Sequence, residues 1–104
     1  MQFEREAIKM RISNSEQQFI KNYWQSNFPN SSVYLFGSRA DDKQRGGDID
    51  ILVLNDEQIK LSQKIGFLSA FMTQFGEQKI DLVTFTFKED LPFKNIALST
   101  SIQL

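Results

Sequence analysis

The stretch from Phe36 to Ile51 constrains the fold more than any other part of the chain. An apolar run, Val33-Tyr34-Leu35-Phe36, goes straight into Gly37-Ser38. Nine residues later comes Asp48-Ile49-Asp50-Ile51, which opens a second apolar run ending at Leu54. Side chains alternate along a strand, so Asp48 and Asp50 share one face, with Cα atoms roughly 6.6 Å apart. Two carboxylates at that spacing can share metal ions about 3.5–4 Å apart. A Gly-Ser turn that opens a helix offers backbone N–H groups and a hydroxyl to a phosphate. An acid pair beside a phosphate turn points to metal-dependent chemistry on a nucleoside triphosphate.

The composition narrows that chemistry. The chain has no His and no Cys. Imidazole bases, thiolate nucleophiles and Cys- or His-ligated metals are excluded, so a catalytic base must be Asp, Glu, Lys or Tyr. An all-oxygen metal site favours Mg²⁺, Mn²⁺ or Ca²⁺. The calcium-loop pattern of alternating ligands is absent. The net charge of −1 gives no sign of direct nucleic-acid binding. No apolar run approaches the length of a transmembrane helix. The start of the chain lacks the hydrophobic stretch of a signal peptide, so a cytoplasmic setting is expected.

At 104 residues the chain reads as a single domain, 1–104. Residues 1–10 read either as a mobile leader or as a short helical face around Phe3, Ala7 and Ile8. Ser13, Asn14 and Ser15 offer helix N-caps, with Glu16 in the first turn. The helix they start runs to about Asn27, with Phe19, Ile20, Tyr23, Trp24 and Phe28 on one stripe. Pro29-Asn30-Ser31-Ser32 turns the chain into a strand, Val33–Phe36. A short helix from Ser38 and a loop closing at Gly46-Gly47 are expected next. Asp48–Leu54 reads as a second strand, apolar on both faces below its acids. Asn55-Asp56 reads as the cap of a helix to about Phe75, with Gly76 as its C-cap. A third strand starts at Lys79 and ends at Phe85 or Phe87. A last helix begins at Pro92.

The order is α-β-α-β-α-β-α, an α+β or mixed α/β domain on a three-stranded mixed sheet. A long helix joins the second and third strands, which can therefore lie parallel through a right-handed crossover. Their first residues then sit side by side, and Asp81 becomes a neighbour of Asp50. The two acids become three.

This pattern resembles that of the DNA polymerase beta-like nucleotidyltransferases. The elements are Phe36-Gly37-Ser38, Asp48-Ile49-Asp50-Ile51 and the third acid in Ile80-Asp81-Leu82. The size and the run Tyr34-Leu35-Phe36-Gly37-Ser38-Arg39-Ala40 are similar to the minimal nucleotidyltransferases (MNT), over roughly residues 11–98. The resemblance implies the nucleotidyltransferase fold and transfer of NMP, AMP from ATP in the first instance, to a hydroxyl. Asp48, Asp50 and Asp81 would be both catalytic and metal ligands, holding two Mg²⁺, with Mn²⁺ as an alternative. Asp81 would help deprotonate the attacking hydroxyl. Gly37 and Ser38 would contact the β/γ-phosphates with help from Arg39. Many stand-alone members pair with a helical HEPN partner as the antitoxin of a toxin–antitoxin system, and can adenylylate it. The spacer between Ser38 and Asp48 is shorter than in many of those antitoxins, which bears on the subfamily more than on the chemistry.

Two readings compete with protein adenylylation. One is an antitoxin that neutralises its partner by contact alone, with a vestigial site. The other is a small-molecule nucleotidyltransferase, against which the missing substrate domain argues. Several smaller expectations complete the picture. Phe67, Phe71 and Phe75 at helical spacing read as core, as does Trp24, with its indole N–H paired. Lys79 reads as a solvated flank. Leu52, Leu54, Val83, Phe85 and Phe87 lie on the acid face of their strands. If the helices cover only the opposite face, that patch is exposed and calls for a partner or a second copy.

Overall fold

A computed structural model describes residues 12–37 and 48–104. The expected readings of residues 1–11, the short helix at Ser38 and the Gly46-Gly47 loop lie outside the described residues. The first helix, α1 (Asn14–Asn27), starts as its sequence demands. The Ser13 hydroxyl accepts from Glu16 N at 3.0 Å, and the Glu16 carboxylate accepts from Ser13 N at 2.9 Å. This reciprocal box satisfies donors that an open helix end leaves unpaired.

β1 (Ser32–Phe36) and β2 (Ile49–Asn55) pair antiparallel. α2 (Leu61–Phe75) then leads to β3 (Ile80–Thr86), which runs parallel to β2. α2 starts later than Asn55-Asp56 suggested. Asn55 is held as the last residue of β2, opposite Thr86, and its side-chain amide donates to Glu57 O at 3.0 Å. Ile59 must also enter the core before the helix begins, and it is buried. The actual cap is at Lys60, whose N–H donates to Gln63 Oε1 at 2.8 Å. Gly76 does close the helix, at φ +89°.

α3 (Pro92–Ser99) carries Pro at its first turn, where the missing N–H costs nothing. The chain ends in β4 (Ile102–Gln103), which pairs antiparallel with β1. The described sheet is therefore four-stranded, in the order β3-β2-β1-β4, rather than three-stranded. A two-residue strand behind Ser-Thr-Ser has too little alternation to be read from sequence.

The sheet is covered on both sides. On one face, α1 and α2 pack Ile20, Trp24, Phe67 and Phe71 against Val33, Leu35, Ile49, Ile51 and Val53. On the other, Ala97 of α3 packs with Phe36, Leu52 and Leu54. This corrects the exposed-patch expectation for Leu52 and Leu54, while Val83 and Phe85 are half-buried and Phe87 is 44% exposed. Leu52 is fully buried and Leu54 is 5% exposed, because α3 lies on the acid face rather than beside the other helices. Phe93 from α3 sits between Phe36 and Phe85, with ring centroids 6.1 and 6.4 Å away.

Of two buried polar groups, Trp24 differs from expectation and Lys94 carried none. The Trp24 indole N–H is buried with no hydrogen-bond partner among the described residues, although a partner was expected. Lys94 is buried, and its ammonium donates to the backbone carbonyls of Thr86, Phe87 and Glu89. These three acceptors compensate a charge that burial would otherwise penalise. They also tie the start of α3 to the end of β3.

Candidate active site

Strand register builds the site. Phe36 of β1 is the antiparallel partner of Asp50, and Asp50 is the parallel partner of Asp81. One row thus crosses the sheet as Phe36, Asp50, Asp81. Adjacent strands lie about 4.8 Å apart, so the two acids are direct neighbours. Alternation puts both on the face of Leu52, Leu54, Val83 and Phe85, the face that α3 partly covers. Asp50 is half-buried and Asp81 is exposed at the edge of this cover.

Gly37 follows Phe36 at φ +74°. This is the left-handed region that favours glycine. The space around it gives a second reason for the residue. A Cβ added there would overlap the Asp50 carboxylate oxygen and lie 3.1 Å from its Cγ. The backbone therefore turns out of β1 directly against the Asp50 carboxylate, which a side chain at position 37 would displace.

Asp48 stands one residue ahead of β2. Ile49 N donates to Lys79 O at 3.0 Å, which continues the β2–β3 pairing to the mouth of the sheet. The register extended by one residue sets Asp48 opposite Lys79. The Lys79 ammonium lies 4.0 Å from Asp48 Oδ2, and the two side chains are 83% and 39% exposed. Among the described residues, no group of three acids is gathered closely enough to hold a metal ion. Asp50 and Asp81 are brought together by register, while Asp48 is within ion-pair distance of Lys79.

The donor set is nonetheless of one kind. Three carboxylates with no nitrogen or sulfur donor suit a hard divalent cation, and Mg²⁺ is held in such sites by one or two carboxylates plus substrate phosphates. Ser38 and Arg39, the other expected phosphate contacts, lie outside the described residues. Lys79 is the solvated flank expected of it, with its side chain 83% exposed, but its position opposite Asp48 was not part of that reading. The signal was available, since a lysine two positions before Asp81 shares its face and must stand opposite Asp48 once Asp50 stands opposite Asp81.

The family model for Polymerase beta, Nucleotidyltransferase matches residues 18–104. The chain belongs to the polymerase beta nucleotidyltransferases. Solved structures share the fold of this nucleotidyltransferase at low identity. One is a chain in the structure of a tri-AMPylated Shewanella oneidensis HEPN toxin in complex with MNT antitoxin. It has 19% identity and a TM-score of 0.63, over 88% of this chain and 71% of the other. A second is a chain of the toxin–antitoxin MntA–HepT, at 18% identity and a TM-score of 0.61, over 88% and 70%. A third comes from a toxin–antitoxin with AMP-PNP, at 22% identity and a TM-score of 0.65, over 84% and 70%. A sequence search of curated proteins returns no match. Among the described residues of the nucleotidyltransferase, no helix is long and apolar enough to cross a membrane.

Proposed function

We propose that this nucleotidyltransferase moves AMP from ATP to a hydroxyl of a HEPN-type helical protein, in a Mg²⁺-dependent reaction, and so acts as that protein's antitoxin. The observation that carries the reading is the register of Asp50 with Asp81 against the backbone of Gly37. Asp48, Asp50 and Asp81 would hold the cation. When bound, Mg²⁺ supplies charge stabilisation to the attacking and leaving oxygens. Asp81, the most exposed of the three, takes the proton of the acceptor hydroxyl. The hydroxyl oxygen bonds to the α-phosphorus, and the bond to pyrophosphate breaks. The backbone turn at Gly37, with Ser38 and Arg39 after it, holds the β- and γ-phosphates. Support for the acceptor comes from the similar chains found with a tri-AMPylated HEPN toxin and with AMP-PNP.

The test is intact-mass spectrometry of the HEPN-type partner after co-expression. The wild type should add whole AMP residues to it, and Asp50→Asn and Asp81→Asn should add none. An unmodified partner that is still neutralised by Asp48→Asn would favour inhibition by contact alone.

A further inference from the structure

The mouth of the sheet is a two-by-two arrangement. Asp50 stands opposite Asp81, and one step outward Asp48 stands opposite Lys79. Among the described residues, the Lys79 ammonium stands at this corner, 4.0 Å from Asp48. The same chain gathers no three acids into a cation cluster among its described residues.

We propose that Lys79 is a positioning residue for the acid row: its ammonium holds Asp48 while no divalent cation is bound and releases it when one binds. This rests on the metal reading of the site given above. An ion pair this exposed is weak and screened by salt, so a dication can displace it. The released ammonium stays near the bound dication and opposes it. Both effects have the same sign, so Lys79 lowers the affinity of the site for the cation. Its backbone is fixed by the bond from Ile49 N, so the side chain cannot leave the corner by a shift of the strand. With its side chain 83% exposed, Lys79 can be replaced without disturbing the core.

The experiment is a Mn²⁺ titration of the whole chain, without nucleotide, followed by electron paramagnetic resonance. Lys79→Ala should bind Mn²⁺ about two- to fivefold more tightly than the wild type, the worth of one exposed ion pair. Lys79→Arg keeps the charge and should bind as the wild type does. The gap between Lys79→Ala and wild type should shrink as KCl is raised. Equal or weaker binding by Lys79→Ala overturns the role of Lys79 and leaves the metal site standing. Wild type and Asp50→Asn that both fail to bind Mn²⁺ overturn the metal reading, and the inference with it.

Discussion

Asp50 and Asp81 are directly opposed residues of two parallel strands, with Phe36 completing their row. Like charges placed opposite one another destabilise a sheet by about 0.2–1 kcal/mol. Asp81→Asn should therefore leave the metal-free protein as stable as the wild type, or more stable by up to about 1 kcal/mol. Urea unfolding in EDTA measures this. A clear loss of stability would mean that Asp81 has a structural partner.

Mg²⁺ should reverse that order. A ligand that binds only the folded state raises the melting temperature with its concentration. Millimolar Mg²⁺ should raise that of the wild type more than that of Asp48→Asn or Asp81→Asn. Thermal melts with and without Mg²⁺ check it, and equal responses in all three proteins would contradict a shared site.

A substitution at Gly37 is strained. Gly37→Ala puts a side chain at φ +74° and drives its Cβ into the Asp50 carboxylate. Strain of this kind costs on the order of 1–3 kcal/mol. Displacing Asp50 should also reduce transfer by about 10²-fold, as misplacement of a reacting group by about 1 Å does. Thermal melts and initial rates read the two effects separately.

Lys94 tests what holds α3 on the acid face. Lys94→Met keeps the apolar stem but removes the donor to the carbonyls of Phe87 and Glu89 and leaves that of Thr86 with Glu89 N alone. The expected loss is about 1–3 kcal/mol in urea unfolding. The loop after β3 should exchange its amide hydrogens faster. No change in stability would show that water replaces the ammonium at no cost.

Much of this architecture was legible in the chain. Ser13 with Glu16, Gly76 and Pro92 carry strong local signals, and the structure uses them as helix boundaries. The step from two acids to three followed from topology, because a helix between two strands permits parallel pairing. The misses have a common physical origin in long-range packing. The face on which α3 settles depends on the fit of Ala97 and Phe93 over Phe36 and Leu52, which no local pattern encodes. Asn55 looks like a helix cap, but its pairing opposite Thr86 claims it for β2. β4 exists only because β1 offers an edge to Ile102 and Gln103. Lys79 acquires meaning only after the β2–β3 register is known.

The most direct measurement follows the label from ATP into the proposed HEPN-type partner protein, using ATP labelled at the α- or the γ-phosphate. With wild-type protein and Mg²⁺, the partner should become labelled from the α position and not from the γ position. EDTA, Asp50→Asn or Asp81→Asn should abolish the signal. Labelling from the γ position, or undiminished α labelling by Asp81→Asn, would contradict a nucleotidyl transfer carried by the Asp50–Asp81 row.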